Sequence, residues 1–372
     1  MMEINNKGKK VAIVTESLWR MGGANRVLDI FAEMYPSADI YALFGEKKNL
    51  SNNIQKHNVH FSFLNKIPFV KYLYRYTFNL WPLAIESFDL SKYDLVISSS
   101  HSVAHGVIVP FGSQHLAYIH SPMRYAWDQT SMYTNTLGFS FLKRAFIDFN
   151  LNFIRMWDTT AASRPDILVS NSNFVKKRIE KFWGRKVDYV VTPPVEFFQG
   201  KIVLKRKNYL VSGAPFEPNK GGKELLLYAS KLGFNLKIIG DGSLRKRLER
   251  KYKNSRNIEF LGVIDELEKW KVLSNAKGYI LTGVEDYGIF PCEAISCGTP
   301  VLAFDLGGVK EIVVESKNGI LYKEQTLDCF TNAYEKFCNT KWNYENVSKN
   351  TTRINDKSSF VKKIQKSLVD NG

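Results

Sequence analysis

The chain has 372 residues, 44% hydrophobic and 13% aromatic, enough to fill two domains of roughly 150–200 residues each. It contains no apolar run of the roughly 18 residues that a membrane span needs, residues 1–10 lack the apolar core of a secretory leader, and Cys292, Cys297, Cys329 and Cys338 form no Cys-x-x-Cys pair. A zinc module is therefore not expected, and four unclustered thiols suit a reducing cytoplasm. A net charge of +16 asks for an anionic partner, but no helix-turn-helix spacing, RNP signature or zinc module accompanies it. Nucleic acid is set aside, leaving phosphorylated substrates or an anionic membrane surface.

In chain order, residues 10–15 read as a short buried strand, followed by a loop with Gly22 and Gly23 and a helix over 25–34. Further strands are expected at 39–44, 93–98, 114–120, 167–171 and 187–192, and Pro193-Pro194 ends the last of them. A lysine-rich stretch without periodic signal then runs to Lys207, and the domain boundary is placed there, giving domains 1–197 and 198–355. The alternation restarts with strands at 209–212, 236–240, 258–262 and 278–282 and helices at 222–232, 244–253 and 265–276, with Ser243 as a candidate N-cap. A basic amphipathic helix over about 357–369 closes the chain, within a segment 356–372 that either crosses back to the first domain or forms a solvated tail. Alternating strands and helices imply an α/β fold with two parallel sheets, whose ligands bind at the carboxyl ends of the strands.

The stretch Glu285-Asp-Tyr-Gly288-Ile289-Phe290-Pro291-Cys-Glu293 carries the chemistry. Pro291 is a poor interior helix residue and a good early one, so a loop bearing Glu285 is expected to lead into a helix opening near Pro291, with Glu293 in its first turn and Gly298 ending it. A helix N-terminus suits a phosphate, and two carboxylates beside it suit sugar or ribose hydroxyls. The pattern resembles the E-x7-E signature of retaining glycosyltransferases of family 4, which have the GT-B fold of two Rossmann-like domains facing across a cleft. The resemblance implies that Glu285 lies at the donor sugar, Glu293 at the ribose, and the backbone of Gly288, Ile289, Phe290 and Pro291 at sugar and phosphates. Lys220, before a helix, is either the diphosphate cation of the family or a surface lysine; Gly213 stands where the family has an arginine, with Arg245 or Lys246 as alternative cations. The loop Gly22-Gly23 matches the family's glycine-rich approach to the diphosphate and acceptor.

A second segment, His120-Ser-Pro-Met-Arg124-Tyr125-Ala-Trp127-Asp128, is similar to the H-x-P-x-R-Y-x-W-D run of bacterial mannosyltransferase-like members. This implies a hydrogen bond from His120 to the donor sugar, against the alternative of a structural histidine. Arg124, Tyr125, Trp127 and Asp128 either shape the acceptor side or form a packed knot. Residues 61–83, aromatic and basic with no acid, read either as a surface for an anionic bilayer or as a core helix pair.

The resemblance implies transfer of a hexose, mannose favoured, from a nucleotide sugar such as GDP-mannose to a lipid-linked saccharide in O-antigen- or capsule-type glycan assembly. The enzyme would be peripheral on the inner face of the cell membrane. It implies front-face displacement with retention, the departing phosphate helping to take the acceptor proton, and no metal or other cofactor. The alternatives are a nucleotide-sugar 2-epimerase of the same fold and a catalytically silent nucleotide-sugar-binding protein.

Overall fold

The computed structural model describes residues 8–19, 23–131, 141–213, 216–351 and 354–370. The chain forms two units, one of Met1–Pro193 with Lys357–Gly372, the other of Pro194–Asp356. The division falls four positions before the boundary placed by composition, because Val195 already hydrogen-bonds to the carbonyl of Asn355 (2.9 Å) inside the second unit.

The first unit is built on seven parallel strands: β1 (Val11–Leu18), β2 (Asp39–Gly45), β3 (Val59–Phe61), β4 (Leu95–Ser100), β5 (Gln114–Ile119), β6 (Ile167–Ser170) and β7 (Tyr189–Val190), in the order β3-β2-β1-β4-β5-β6-β7. Successive side chains of a strand point to opposite faces, and here both faces are covered. Val11 and Ile13 of β1 enter one core cluster with Phe31 and Tyr118, while Ala12 and Val14 enter another with Trp81 and Leu151. That is why these strands read as unbroken apolar runs rather than alternating ones. The helix Lys357–Val369 supplies Phe360, Ile364 and Leu368, spaced by four, to the first cluster.

The second unit repeats the plan with β8 (Lys207–Gly213), β9 (Leu236–Ile239), β10 (Ile258–Gly262), β11 (Ala276–Leu281), β12 (Val301–Phe304) and β13 (Gly319–Tyr322), ordered β10-β9-β8-β11-β12-β13 and all parallel. Leu210, Ile238, Ile280 and Leu302 face one cluster; Val211, Ile239, Tyr279 and Ala303 face the other. In each sheet the strand order reverses beside the first strand of the unit, between β1 and β4 and between β8 and β11. Crevices at such switch points are where open α/β sheets take ligands.

Three local expectations are corrected. The motif helix is Ile289–Ser296, opening near Pro291 as expected, but Glu293 is its fifth residue and lies past the first turn. Ser243 does not cap a helix: its hydroxyl donates to Glu217 (2.8 Å), and Leu244 precedes the helix Arg245–Tyr252. Residues 61–83 form no pair of long helices; they fold as short helical pieces, Phe63–Lys66, Val70–Leu73 and Tyr74–Leu80, the last running into the helix Trp81–Glu86. They bury Leu64, Val70 and Trp81 and leave Phe69, Tyr72 and Tyr76 about 70–80% exposed.

Candidate active site

In the second unit the loops after β8 and β11 lie against each other, with the Thr282 hydroxyl donating to the carbonyl of Gly221 (2.7 Å). This contact brings Lys220 to Glu285, and their side chains form a short charge-assisted bond, both about 20% exposed. The Glu285 backbone is fixed from the other side, where its carbonyl accepts from the N–H of Gly308 (2.9 Å). Gly288, at φ +113°, turns the chain into the helix Ile289–Ser296. Lys220, Glu285 and a helix N-terminus are thus assembled at the carboxyl edge of the sheet, at the β8/β11 switch point.

Glu293, on that helix, is buried and accepts a bond from Lys269 (2.9 Å), itself buried on the helix Glu266–Asn275. Lys269 was not singled out from sequence; on a helix rich in charge nothing marks one lysine as buried. Ile289 and Phe290 are half-buried. Gly213 is explained by Phe290: a Cβ at position 213 would lie 2.5 Å from the Phe290 ring, so the place of the family's arginine is filled by an aromatic side chain. The N–H of Gly213 instead donates to the Tyr279 hydroxyl (3.1 Å). Arg245 lies against Gly262, the last residue of β10, and its guanidinium is 3.9 Å from Asp241 and 3.5 Å from Glu249; Lys246 is exposed.

In the first unit, His120 directly follows β5. Its ring Nε2 is 2.9 Å from the Ser99 hydroxyl, its edge meets Tyr118, and its carbonyl accepts from Asn171 (3.0 Å). Trp127 and Asp128 are committed to the scaffold. The Trp127 indole donates to buried Asp158 (2.7 Å) and stacks on Phe182, while Asp128 takes two bonds from Arg178 (2.7 and 3.1 Å). The Tyr125 hydroxyl is 3.0 Å from that of Ser102, and Arg124 is half-buried. Gly23 begins the helix Gly23–Met34; Gly22 lies outside the described residues.

Sequence reasoning also missed a pair at the β1/β4 switch point. Glu16, near the end of β1, is buried. Its Oε1 accepts the Ser100 hydroxyl (3.0 Å) and the N–H groups of Ser102 (2.8 Å), Val103 (2.8 Å) and Ala104 (2.9 Å), and its Oε2 lies 2.7 Å from His101 Nδ1. Burial alone would raise the Glu16 carboxyl, but the His101 charge and these N–H groups outweigh it and hold the carboxyl far below its ordinary range. Desolvation would lower His101, though only weakly because its side chain is 43% exposed, and the Glu16 charge more than offsets this, leaving the imidazole above its ordinary value. The one available signal was an acid at the end of an apolar strand, Val-Ala-Ile-Val-Thr-Glu16.

Residues 195–354, nearly the whole second unit, match the family model described as glycosyl transferases group 1. An uncharacterized glycosyltransferase of Methanocaldococcus jannaschii is 23% identical over 56% of this chain and 62% of its own length. The alpha-1,3/1,6-mannosyltransferase ALG2 of Dictyostelium discoideum is 36% identical over 30% of this chain and 27% of its own length. The chain thus spans less than two thirds of the length of these curated relatives. Among solved structures, Anabaena HepE in complex with UDP and glucose superposes with a TM-score of 0.68 at 16% identity, over 97% of this chain and 99% of that one. With its two parallel-sheet α/β units, the chain has the GT-B fold.

Proposed function

We propose that this chain, whose second unit matches the glycosyl transferases group 1 family, is a retaining glycosyltransferase that moves a hexose, mannose by preference, from a nucleotide sugar to a lipid-linked saccharide. The observation that carries the reading is the Lys220–Glu285 pair beside the N-terminus of Ile289–Ser296. It sets a cation and helix N–H groups for a diphosphate next to a carboxylate for sugar hydroxyls. Preference for mannose and GDP is supported by the segment 120–128 and by the mannosyltransferase relative.

In this reading Lys220 and the helix N-terminus stabilise the charge that develops on the leaving diphosphate, so no metal is required. Glu285 holds the sugar and Glu293 meets the ribose. The bond from the anomeric carbon to the phosphate oxygen breaks with its electron pair leaving on the diphosphate. The acceptor oxygen bonds the same face of that carbon, and its proton passes to the departing phosphate.

A peripheral site on the inner face of the cell membrane is supported by exposed Phe69, Tyr72 and Tyr76 beside exposed Lys71, and by Phe146, Phe149, Phe153 and Met156 on the outer side of the helix Phe141–Ala161. No helix of the described residues is long and apolar enough to cross a membrane.

The test is donor hydrolysis by purified protein, with and without EDTA, over GDP-mannose, UDP-glucose, UDP-galactose and UDP-N-acetylglucosamine. The expected result is EDTA-resistant GDP release that falls about 100-fold or more in Glu285→Ala. Release from a UDP-sugar alone would remove the mannose assignment. Conversion of a donor to its 2-epimer would point to the epimerase, and nucleotide binding without any turnover, lipid-linked acceptors included, to a silent binder.

A further inference from the structure

Glu293 is about as buried as a side chain can be, at 1% exposure, and Lys269 opposite it is at 5%. A carboxylate removed from water needs a charged or hydrogen-bonding partner, and Lys269 Nζ, 2.9 Å away, supplies one. The ammonium is restrained in turn. It lies 2.6 Å from Glu266, one helical turn back and half-exposed, and 4.5 Å over the ring of Trp270. Its helix, Glu266–Asn275, starts at Asp265, whose side chain caps it by accepting from the N–H of Glu268 (2.8 Å), just after β10. Lys269 therefore ties the element that follows β10 to the motif helix that follows β11. No ion pair of this helix other than Lys269–Glu293 reaches the E-x7-E segment among the described residues.

We propose that Lys269 is the positioning residue for ribose recognition: it holds the Glu293 carboxylate oriented toward the ribose hydroxyls of a nucleoside diphosphate and neutralises it next to the diphosphate. This rests on the reading of residues 285–293 as the nucleotide-sugar site. A carboxylate that also faced the nucleotide's own negative charge would repel it. Paired with an ammonium, it keeps its capacity to accept from hydroxyls while the local charge is balanced.

The test is calorimetric binding of GDP and UDP, each beside its 2′-deoxy and 2′,3′-dideoxy forms. It uses the full chain and its Lys269→Met, Lys269→Gln and Lys269→Arg variants, at a temperature where circular dichroism shows each folded. The wild type is expected to prefer the ribonucleotide over the dideoxy form about tenfold or more. Lys269→Met should bring that ratio to near one while leaving dideoxy binding within about twofold, and Lys269→Arg should restore most of it. Lys269→Gln, whose neutral amide still donates to the buried carboxylate, should lower the ratio at least about threefold and is decisive if the methionine variant does not fold. A ratio unchanged in these variants, or an equal loss for ribo and dideoxy forms, marks Lys269 as merely structural and overturns the inference. Wild-type binding without ribose preference overturns it too, with the donor site intact. No binding of either nucleotide overturns the donor-site reading itself.

Discussion

At the scale of single residues, the carboxylates at the two switch points, Glu16, Glu285 and Glu293, are each paired with a basic residue distant in sequence. Glu16 and His101 are 85 positions apart. The folded carboxyl of Glu16 is depressed, so its contribution to stability is present above its unfolded value near 4.5 and is lost as pH falls through the folded one. The His101 imidazole is raised, so its contribution is complete below 6.5 and disappears as pH rises through its folded value. The pair is therefore strongest in mildly acidic solution. In an NMR titration of the His101 ring the midpoint should lie above 6.5 in the wild type and fall in Glu16→Gln; an unmoved midpoint would show that the carboxylate does not set it. Glu285 and Glu293 were legible as candidates because a fixed spacing with Gly288 and Pro291 between marks them in one stretch, and Lys220 because Gly221-Gly222 follows it before a helix. Lys269 and Glu16–His101 were not, because a pair bridging two elements leaves no local pattern. Trp127 and Asp128 were legible as a motif, but only the bonds to Asp158 and Arg178 tell that they hold the segment together.

At the scale of elements, the motif helix depends on one backbone conformation. Gly288 sits at φ +113° and ψ 67°, and its carbonyl accepts from the N–H of Cys292 (3.2 Å). A Cβ there would meet Pro291 at 3.3 Å and Ile312 at 3.4 Å, tight but not impossible, so the main effect of Gly288→Ala is backbone strain. We expect a loss of about 1–3 kcal/mol, read by hydrogen exchange in peptides of β11 and the motif helix, together with weaker nucleotide binding. A variant as stable as the wild type would mean that the turn relaxes without this conformation. Strands were the most legible elements, since burial on both faces gives short, continuous apolar runs. Glu293 was placed a turn too early because proline is tolerated throughout a first turn, where no N–H is needed, so Pro291 does not mark the first helical residue. The long helix Phe141–Ala161 was overlooked for a physical reason. It buries Leu151 and Ile154 on one side and exposes Phe146, Phe149, Phe153 and Met156 on the other, so its apolar residues surround it and blur the amphipathic period.

At the scale of the whole molecule, the chain leaves its first unit at Pro193, completes a second, and returns with the helix Lys357–Val369. The two parallel sheets and their alternation were readable from sequence; the fate of this last helix was not, since a basic amphipathic helix fits a solvated tail equally well. Its contacts decide the matter. Phe360 and Ile364 are fully buried, and the Phe360 ring lies 5.8 Å from that of Phe31 and 5.6 Å from that of Tyr118. Lys357 adds an ion pair to Glu33 (2.7 Å), an exposed contact that contributes little. The helix is thus a part of the first unit's core supplied from the far end of the chain, and that unit cannot be complete until the second has been passed through. Phe360→Ala should cost about 3–5 kcal/mol, the usual loss for a buried aromatic side chain in a packed core. Hydrogen exchange would place that cost. Protection should fall in peptides of β1, β5 and the helix Gly23–Met34, whose residues share the cluster with Phe360, and stay unchanged in β8 to β13. Equal loss in both units would mean that they unfold as one cooperative body, and no loss in either would return the helix to the status of a tail.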